Sequence, residues 1–245
     1  MTFLDGPWTI AGQLDYSTRA PTVEELYSFG EHLATGTFEI GDPTLDHESA
    51  VNISATLQWQ NEIFRVGVSG YYTEFGDFIY ESPTGEEQEE LPEFMWQQAD
   101  AAFHGVDLEA EWQAVRWDGG SLVLTGFYDY VRGRLDDGDN RNLPRIPPQR
   151  IGVGARAYWH GLTVTLDYAR TDDQDDVAEL ELPTDGFDDL RAYVGYTFLF
   201  GDSSLELFLA GRNLTDDEQR YHTSFIKDLA PQPGRTIEGG IRVVL

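Results

Sequence analysis

A two-residue alternation that keeps one face free of charge constrains this chain more than any other feature. Trp8, Ile10, Gly12, Leu14 and Tyr16 share one side of an extended segment, while Thr9, Ala11, Gln13, Asp15 and Ser17 share the other. That is the period of a β-strand with one apolar face. It recurs over residues 51–59, 64–72, 106–112, 122–130, 151–159, 162–168, 190–198, 205–209 and 237–245, which makes ten strands. Most can be extended to about ten residues, the length a tilted strand needs to cross a bilayer. Almost no ionisable residue falls on the apolar faces, His104 being the exception. Lipid imposes that demand, because a charge at mid-bilayer costs roughly 2–4 kcal/mol. Trp8, Trp59, Trp112 and Trp159, with Tyr16, Tyr72, Tyr130, Tyr168 and Tyr196, gather near the ends of these faces. Amphipathic rings belong there, at headgroup depth.

The connections between these strands alternate in length. Those at 60–62, 117–120, 160–161 and 201–203 are tight, and those at 19–46, 81–98, 135–149, 171–188 and 214–233 are long. Up-and-down outer-membrane barrels have this pattern, with short periplasmic turns and long extracellular loops. A soluble Greek-key fold does not force it. The expected fold is all-β: an antiparallel up-and-down transmembrane β-barrel of about ten strands, occupying residues 1–245 as one domain. The first long connection holds one helical signal, the capping-box spacing of Thr22-Val23-Glu24-Glu25, with Leu26, Tyr27 and Phe29 as the expected apolar contacts.

Charge narrows the partners. There are 44 acidic residues against 16 basic ones, a formal charge of −28, and Lys227 is the single lysine. Nucleic acid needs a basic footprint and is excluded as a partner. The chain has no cysteine, hence no disulfide framework and no thiol chemistry. No apolar run is long enough for a transmembrane helix, and the first residues lack the basic-then-apolar order of a secretory leader. More than half of the acidic residues lie in the five long connections, most densely at 85–93 and 172–181. These runs read first as solvated loops and second as a field that attracts cations. Nucleophile-elbow, HExxH and phosphate-loop motifs are missing, so catalysis is not expected.

Several segments resemble one family. Arg19-Ala-Pro21-Thr-Val-Glu-Glu25-Leu26 is similar to the R-x-P-x-x-x-E-L segment of TonB-dependent outer-membrane receptors. Gly30-Glu-His-Leu-Ala-Thr35, Phe38-Glu-Ile-Gly41, Leu45 and Glu48 continue the likeness. Leu143-Pro144-Arg145-Ile-Pro-Pro-Gln-Arg150 is similar to a further loop, and Asn213-Leu214-Thr-Asp216 to an N-L-x-D/N signature. His222-Thr-Ser-Phe-Ile-Lys-Asp228 with Pro233-Gly234-Arg235 resembles the lead-in to the last strand. The resemblance implies a barrel embedded in outer-membrane lipid that serves uptake of a metal ion, a siderophore or other metal chelate, or haem. The His-Leu-Ala-Thr and Ser-Phe-x-Lys-Asp features lean toward the zinc and transition-metal branch. The family barrel has 22 strands, so ten resemble the C-terminal part of a receptor barrel, either an open half or a small barrel that closes at ten strands. The plug and the energy-coupling TonB box are not among the matched motifs, and the family's usual closing aromatic is Leu245 here. The chain is therefore expected to be an incomplete receptor, partnered by a plug and N-terminal barrel segment through which alone TonB acts.

Imidazole and carboxylate groups in the long loops are the candidate metal ligands: His32, His47, His222 and Asp228. Neutral imidazole with carboxylate suits zinc and similar ions. No resident cofactor is expected, any metal being cargo. On the polar faces Asp107, Glu109, Glu111, Asp129, Asp167 and Glu206 are expected to pair with Arg65, Arg156, Arg191, Arg212 and Arg242. Two other readings stand beside the receptor. One is a small closed barrel acting as porin or adhesin. The other is an outer-membrane protease with His222 and nearby acids at its rim. Pairing of the first strand with the last separates a closed barrel from an open half.

Overall fold

The computed structural model describes residues 2–245, with side chains from residue 6 onward. Eleven strands form one antiparallel meander in chain order: β1 (Thr2–Asp5), β2 (Trp8–Arg19), β5 (Glu48–Gln60), β6 (Phe64–Gln88), β7 (Leu91–Trp117), β8 (Gly120–Leu135), β9 (Arg150–Trp159), β10 (Leu162–Thr171), β11 (Phe187–Phe200), β12 (Ser203–Arg212) and β13 (Thr236–Val244). The helix α1 (Val23–Tyr27) and the short strands β3 (Phe29–His32) and β4 (Thr37–Ile40) lie between β2 and β5. All ten expected strands are present, and β1 extends the meander by one through the tight turn at Gly6 and Pro7. Among the described residues β1 pairs only with β2 and β13 only with β12, so the sheet is open.

The register explains why the apolar faces match. Trp8, Ile10, Leu14 and Tyr16 on β2 sit opposite Trp59, Leu57, Ile53 and Val51 on β5. The row continues through Val68 and Leu108, Val164 and Val194, and Leu207 and Ile241. Directly opposed residues share a face, so one apolar band runs across the sheet from β2 to β13. Much of it lies open: Leu14 is 73 % exposed and Ile241 69 %. Trp8 and Trp59 meet at 6.3 Å between centroids, and Trp59 and Phe64 at 5.8 Å, at the short-turn end. The tyrosines Tyr16 and Tyr168 lie toward the opposite end of their strands.

The polar face pairs its charges less regularly than expected. Glu206 does meet Arg242 at 2.5 Å. Asp129 instead takes Arg150, Arg191 turns to Asp189, and Arg212 turns to Glu238. The register also places Asp107 directly opposite Asp129.

Two expectations for the long connections are corrected. Residues 81–98 are strand almost throughout, because β6 and β7 run on as one tall hairpin that turns at Glu89 and Glu90, both at positive φ. Neighbours override the weak strand propensity of this acidic, proline-containing stretch: β4 adds in parallel along β7, setting Phe38, Glu39 and Ile40 opposite Glu93, Phe94 and Met95. The second correction concerns α1. Its capping box forms as expected, with Thr22 as cap. However, Tyr27 and Phe29 point outward, 67 % and 72 % exposed, and Glu25 is the buried residue of the helix.

The compact core sits at the long-loop end. Ala101, Leu135 and Leu143 are buried there, with Phe75, Phe78, Tyr80, Phe103 and Ile146 packed around them. Phe75, Ala101, Phe103 and Leu135 occupy positions that alternate with the apolar band, so this core lies on the face opposite to it.

Candidate functional site

Long connections fold onto one another above that core, and ion pairs tie them down. Arg19 ends β2. Its Nη1 donates to both carboxylate oxygens of Glu25 (2.9 and 2.8 Å), and its Nη2 donates to Glu48 (3.0 Å). Glu25 Oε2 also accepts from the backbone N–H of Thr22 (2.6 Å), and Glu48 Oε2 from that of Ile79 (3.0 Å). Arg19, Glu25 and the helix turn between them thus form a brace from β2 through α1 to β5 and β6.

Asn213 makes a second brace. It holds φ +47°, and its Nδ2 donates to the carbonyls of Asp217 (2.9 Å) and Pro233 (3.3 Å). Its Oδ1 accepts from the Asp217 N–H (3.1 Å) and the Thr215 hydroxyl (3.2 Å). Leu214 donates its N–H to the carbonyl of Leu190. Asp216 accepts from the backbone N–H of Arg235 (2.9 Å), and its carboxylate lies 3.5 Å from the Arg235 guanidinium. Gly234 packs beside that carboxylate. These motif residues hold the lead-in to β13 in place.

The third assembly is buried and charged. Glu181 Oε1 accepts from Lys227 Nζ (2.9 Å) and the backbone N–H of Arg145 (2.9 Å), and lies 3.1 Å from His222 Nε2. Its Oε2 accepts from the Ala178 N–H (3.1 Å). The other ring nitrogen of His222 meets the Thr184 hydroxyl at 2.9 Å. An Nε2–H donated to Glu181 leaves Nδ1 to accept from Thr184, which sets the tautomer. Burial pushes the Glu181 carboxyl up, but hydrogen bonds from His222, Lys227 and the two backbone N–H groups outweigh it and hold its pKa at about 2. The cluster clips together the connections after β8, β10 and β12.

Beside it lies a cavity of about 420 Å³, within the range of small-ligand sites. Its wall draws on the β3–β4 turn, the β6–β7 hairpin and all three clipped connections, including Thr37, Tyr80, Asn142, Pro144, Leu182 and Phe225. The Arg145 guanidinium stacks over the Phe225 ring at 4.2 Å. Glu81 also lines the cavity, and its Oε1 is closed off from solvent without a hydrogen-bond partner. Burial, reinforced by the nearby charge of Glu39 and opposed by Arg145, raises its pKa to about 7.

The four candidate ligands do not converge. His222 is committed to Glu181 and Thr184. His32 Nδ1 meets Glu39 (2.9 Å) and Thr35 (2.8 Å), and His47 meets only its neighbour Asp46 (3.2 Å). Asp228 alone of the four lines the cavity. Among the described residues no three His, Asp or Glu side chains form a metal-holding group. Glu81, Glu181 and Thr184 carry no signal of their own in the sequence, because they sit in or beside acidic stretches that read as solvated. The singularity of Lys227 in so acidic a chain was the one available signal for the clip.

Residues 4–214 match the family model described as TonB dependent receptor-like, beta-barrel. The chain belongs to this family. Its place is the bacterial outer membrane, and the open apolar band is its lipid face. Solved structures share the fold at low identity. One is the copper transporter OprC (21 % identity, TM-score 0.79), the match covering 98 % of this chain and 37 % of that one. The FrpB iron transporter from Neisseria meningitidis superposes with TM-score 0.69 at 14 % identity, over 98 % of this chain and 37 % of its own. The siderophore receptor PirA from Acinetobacter baumannii gives TM-score 0.68 at 15 % identity, over 98 % and 39 %. The chain thus spans well under half the length of these proteins.

Proposed function

We propose that residues 1–245 are the barrel portion of a receptor for uptake of a metal ion or metal chelate, with TonB acting through a plug segment. The observation that carries this reading is the cavity at the long-loop end of a TonB-dependent receptor barrel sheet. That end is extracellular in barrels of this design, so a solute meets the cavity before the lumen. The similar structures, a copper transporter, an iron transporter and a siderophore receptor, support metal-related cargo. Asp228 contributes a cargo-facing carboxylate. The open sheet disfavours a self-closed porin, since β1 and β13 leave edges for further strands. A rim protease is disfavoured too, because His222 is 2 % exposed and already bonded.

The test is uptake by metal-starved cells. A strain lacking the gene should accumulate radiolabelled copper, zinc or a ferric chelate more slowly than its parent, and an uncoupler of the inner-membrane proton gradient should remove the difference. Equal accumulation of every metal form by the two strains would sink the proposal.

A further inference from the structure

The last connection, between β12 and β13, has a tied neck and a stiff body. The Gln232 N–H donates to the Gln219 carbonyl at 2.8 Å. Asn213 Nδ2 donates to the carbonyls of Asp217 and Pro233, one on each side of the neck. A compact surface loop with its ends joined in this way is an Ω-loop. The body, residues 221–231, bonds to itself. Ser224 donates its N–H to Tyr221, Lys227 to Ser224, and Leu229 and Ala230 both to Ile226. The Arg220 guanidinium also donates to the Lys227 carbonyl. A segment bonded internally and joined at its neck can move as one piece.

Among the described residues, the body makes few polar or ring contacts with other connections. Tyr221 leans on Phe187 at 5.9 Å, close to the neck. Farther out, His222 and Lys227 converge on the one carboxylate of Glu181 (3.1 and 2.9 Å), and His222 meets the Thr184 hydroxyl. Phe225 lies under the Arg145 guanidinium at 4.2 Å and beside the His32 ring at 6.1 Å. His222 and Lys227 are 2 % and 4 % exposed, whereas Thr223, Phe225, Ile226, Asp228 and Leu229 face solvent. Through Ser224, Phe225, Lys227 and Asp228 the same body forms one wall of the cavity.

The kind of contact matters. An apolar seat resists opening in proportion to the area it buries. A buried ion pair does not, because water returns to each separated ion much of what the attraction supplied. Closed and open positions then lie close in free energy, which is what a two-position element requires.

Resting on the uptake reading, we infer that residues 219–232 are a hinged lid on the cavity, with Glu181 as its latch. Opening swings the body about its neck, hydrates Glu181, His222 and Lys227, and removes one wall of the cavity. Closing rebuilds that wall.

The test is a pair of label distances, and the chain has no cysteine of its own to confuse them. Nitroxides are placed at Thr223→Cys on the body and at Asp136→Cys, whose backbone N–H is fixed to Asp100 beside the core. A second pair, Glu218→Cys with Asp136→Cys, reads the neck. Both are measured by pulsed electron spin resonance on outer membranes from cells expressing the full gene. Glu181→Gln should raise the population of a longer Thr223 distance about tenfold, since it weakens hydrogen bonds to a charged group, while the neck distance stays single. Should Glu181→Gln prevent assembly, Lys227→Met serves instead, with the same expectation. A Thr223 distance that ignores the substitution means a fixed wall, and neck and body distances that broaden together mean a connection that melts rather than swings. Either result overturns the inference.

A cross-link tests the consequence. His32→Cys and Phe225→Cys, joined by a reducible bifunctional thiol reagent, pin the body shut. Uptake of radiolabelled copper, zinc or a ferric chelate should stop, and should return on reduction. Uptake that continues through the cross-link also overturns the lid. If the parent strain takes up none of these metal forms, the receptor reading fails by itself, and the label distances still decide whether the lid moves.

Discussion

Arg19 and Glu25 form a two-toothed ion pair, one guanidinium nitrogen bridging both oxygens of the carboxylate at 2.9 and 2.8 Å. The pair spans the only helix of the described residues and fixes where the first long connection leaves the barrel wall. Arg19→Met should strand Glu25 and Glu48, 7 % and 8 % exposed, without a cation. Removing one partner of a buried pair costs several kcal/mol; with Arg19 itself 40 % exposed, about 1–3 kcal/mol is expected. The loss should be local. Hydrogen exchange should accelerate at the amides of Leu26, Ser28 and Asp42, whose bonds define the turn, and not in β9 or β10. Arg19→Lys should recover only part of the protection, because one ammonium cannot serve both carboxylates as a fork. Unchanged exchange in Arg19→Met would show that the brace is ornamental.

Glu181 predicts an acid-sensitive clip. Its pKa of about 2 lies below the ordinary 4.5, so the folded state binds the proton more weakly than the unfolded state. The stability it contributes is therefore fully present above pH 4.5 and is lost as pH falls toward 2. After discounting for partial solvent screening, the amount is on the order of 1–2 kcal/mol. Amide protection at Ala178 and Arg145 should fall over that window in the native chain, and Glu181→Gln should flatten the pH dependence. Lys227 gives a second readout at pH 8. As the single lysine, 4 % exposed, it should react slowly with an amine reagent. Glu181→Gln should speed that labelling at least several-fold.

Leu14 and Gln13 test the sidedness of the sheet. Leu14 faces Ile53 within the apolar band, and Gln13 faces Ser54 on the other side. Leu14→Arg sets a charge toward the bilayer midplane, at about 2–4 kcal/mol. Gln13→Arg sets one among polar groups and should cost little. Assembled protein recovered from outer membranes should drop sharply for the first and stay near the native level for the second. Equal recovery would mean that the band does not face lipid.

This sidedness was the most legible property of the chain. Alternation with a charge-free face is a local pattern, and lipid enforces it residue by residue, so ten strands could be read from spacing alone. The tall β6–β7 hairpin was not legible. Its upper half lacks strand propensity and is held by β4, a pairing between residues more than fifty positions apart. The loop site was legible only as motif residues. Arg145 and Asp228 stood in segments that suggested function, but Glu81 and Glu181 look in sequence like any other acid in an acidic loop. Only their burial, set by contacts among distant connections, separates them.

Asn213 shows that the same motifs carry architecture as well as identity. Its residue type is demanded twice. The backbone is left-handed at φ +47°, which asparagine tolerates better than most residues. The side chain, 3 % exposed, satisfies two carbonyls and one N–H of the connection leading to β13. Asn213→Ala loses both and strands buried backbone groups, for an expected cost of about 2–4 kcal/mol. Asn213→Gly restores the backbone freedom but not the hydrogen bonds, and should recover about 1 kcal/mol of that loss. Asn213→Asp keeps the acceptor and loses the donor to Asp217 and Pro233, so it should fall between alanine and the native residue. Exchange at the amides of Leu214 and Gln232, which bond to Leu190 and Gln219, reports the order directly. If alanine and glycine prove equal, the left-handed backbone adds nothing and the side chain alone holds the loop. If alanine matches the native residue, the brace is not what places β13 beside β12.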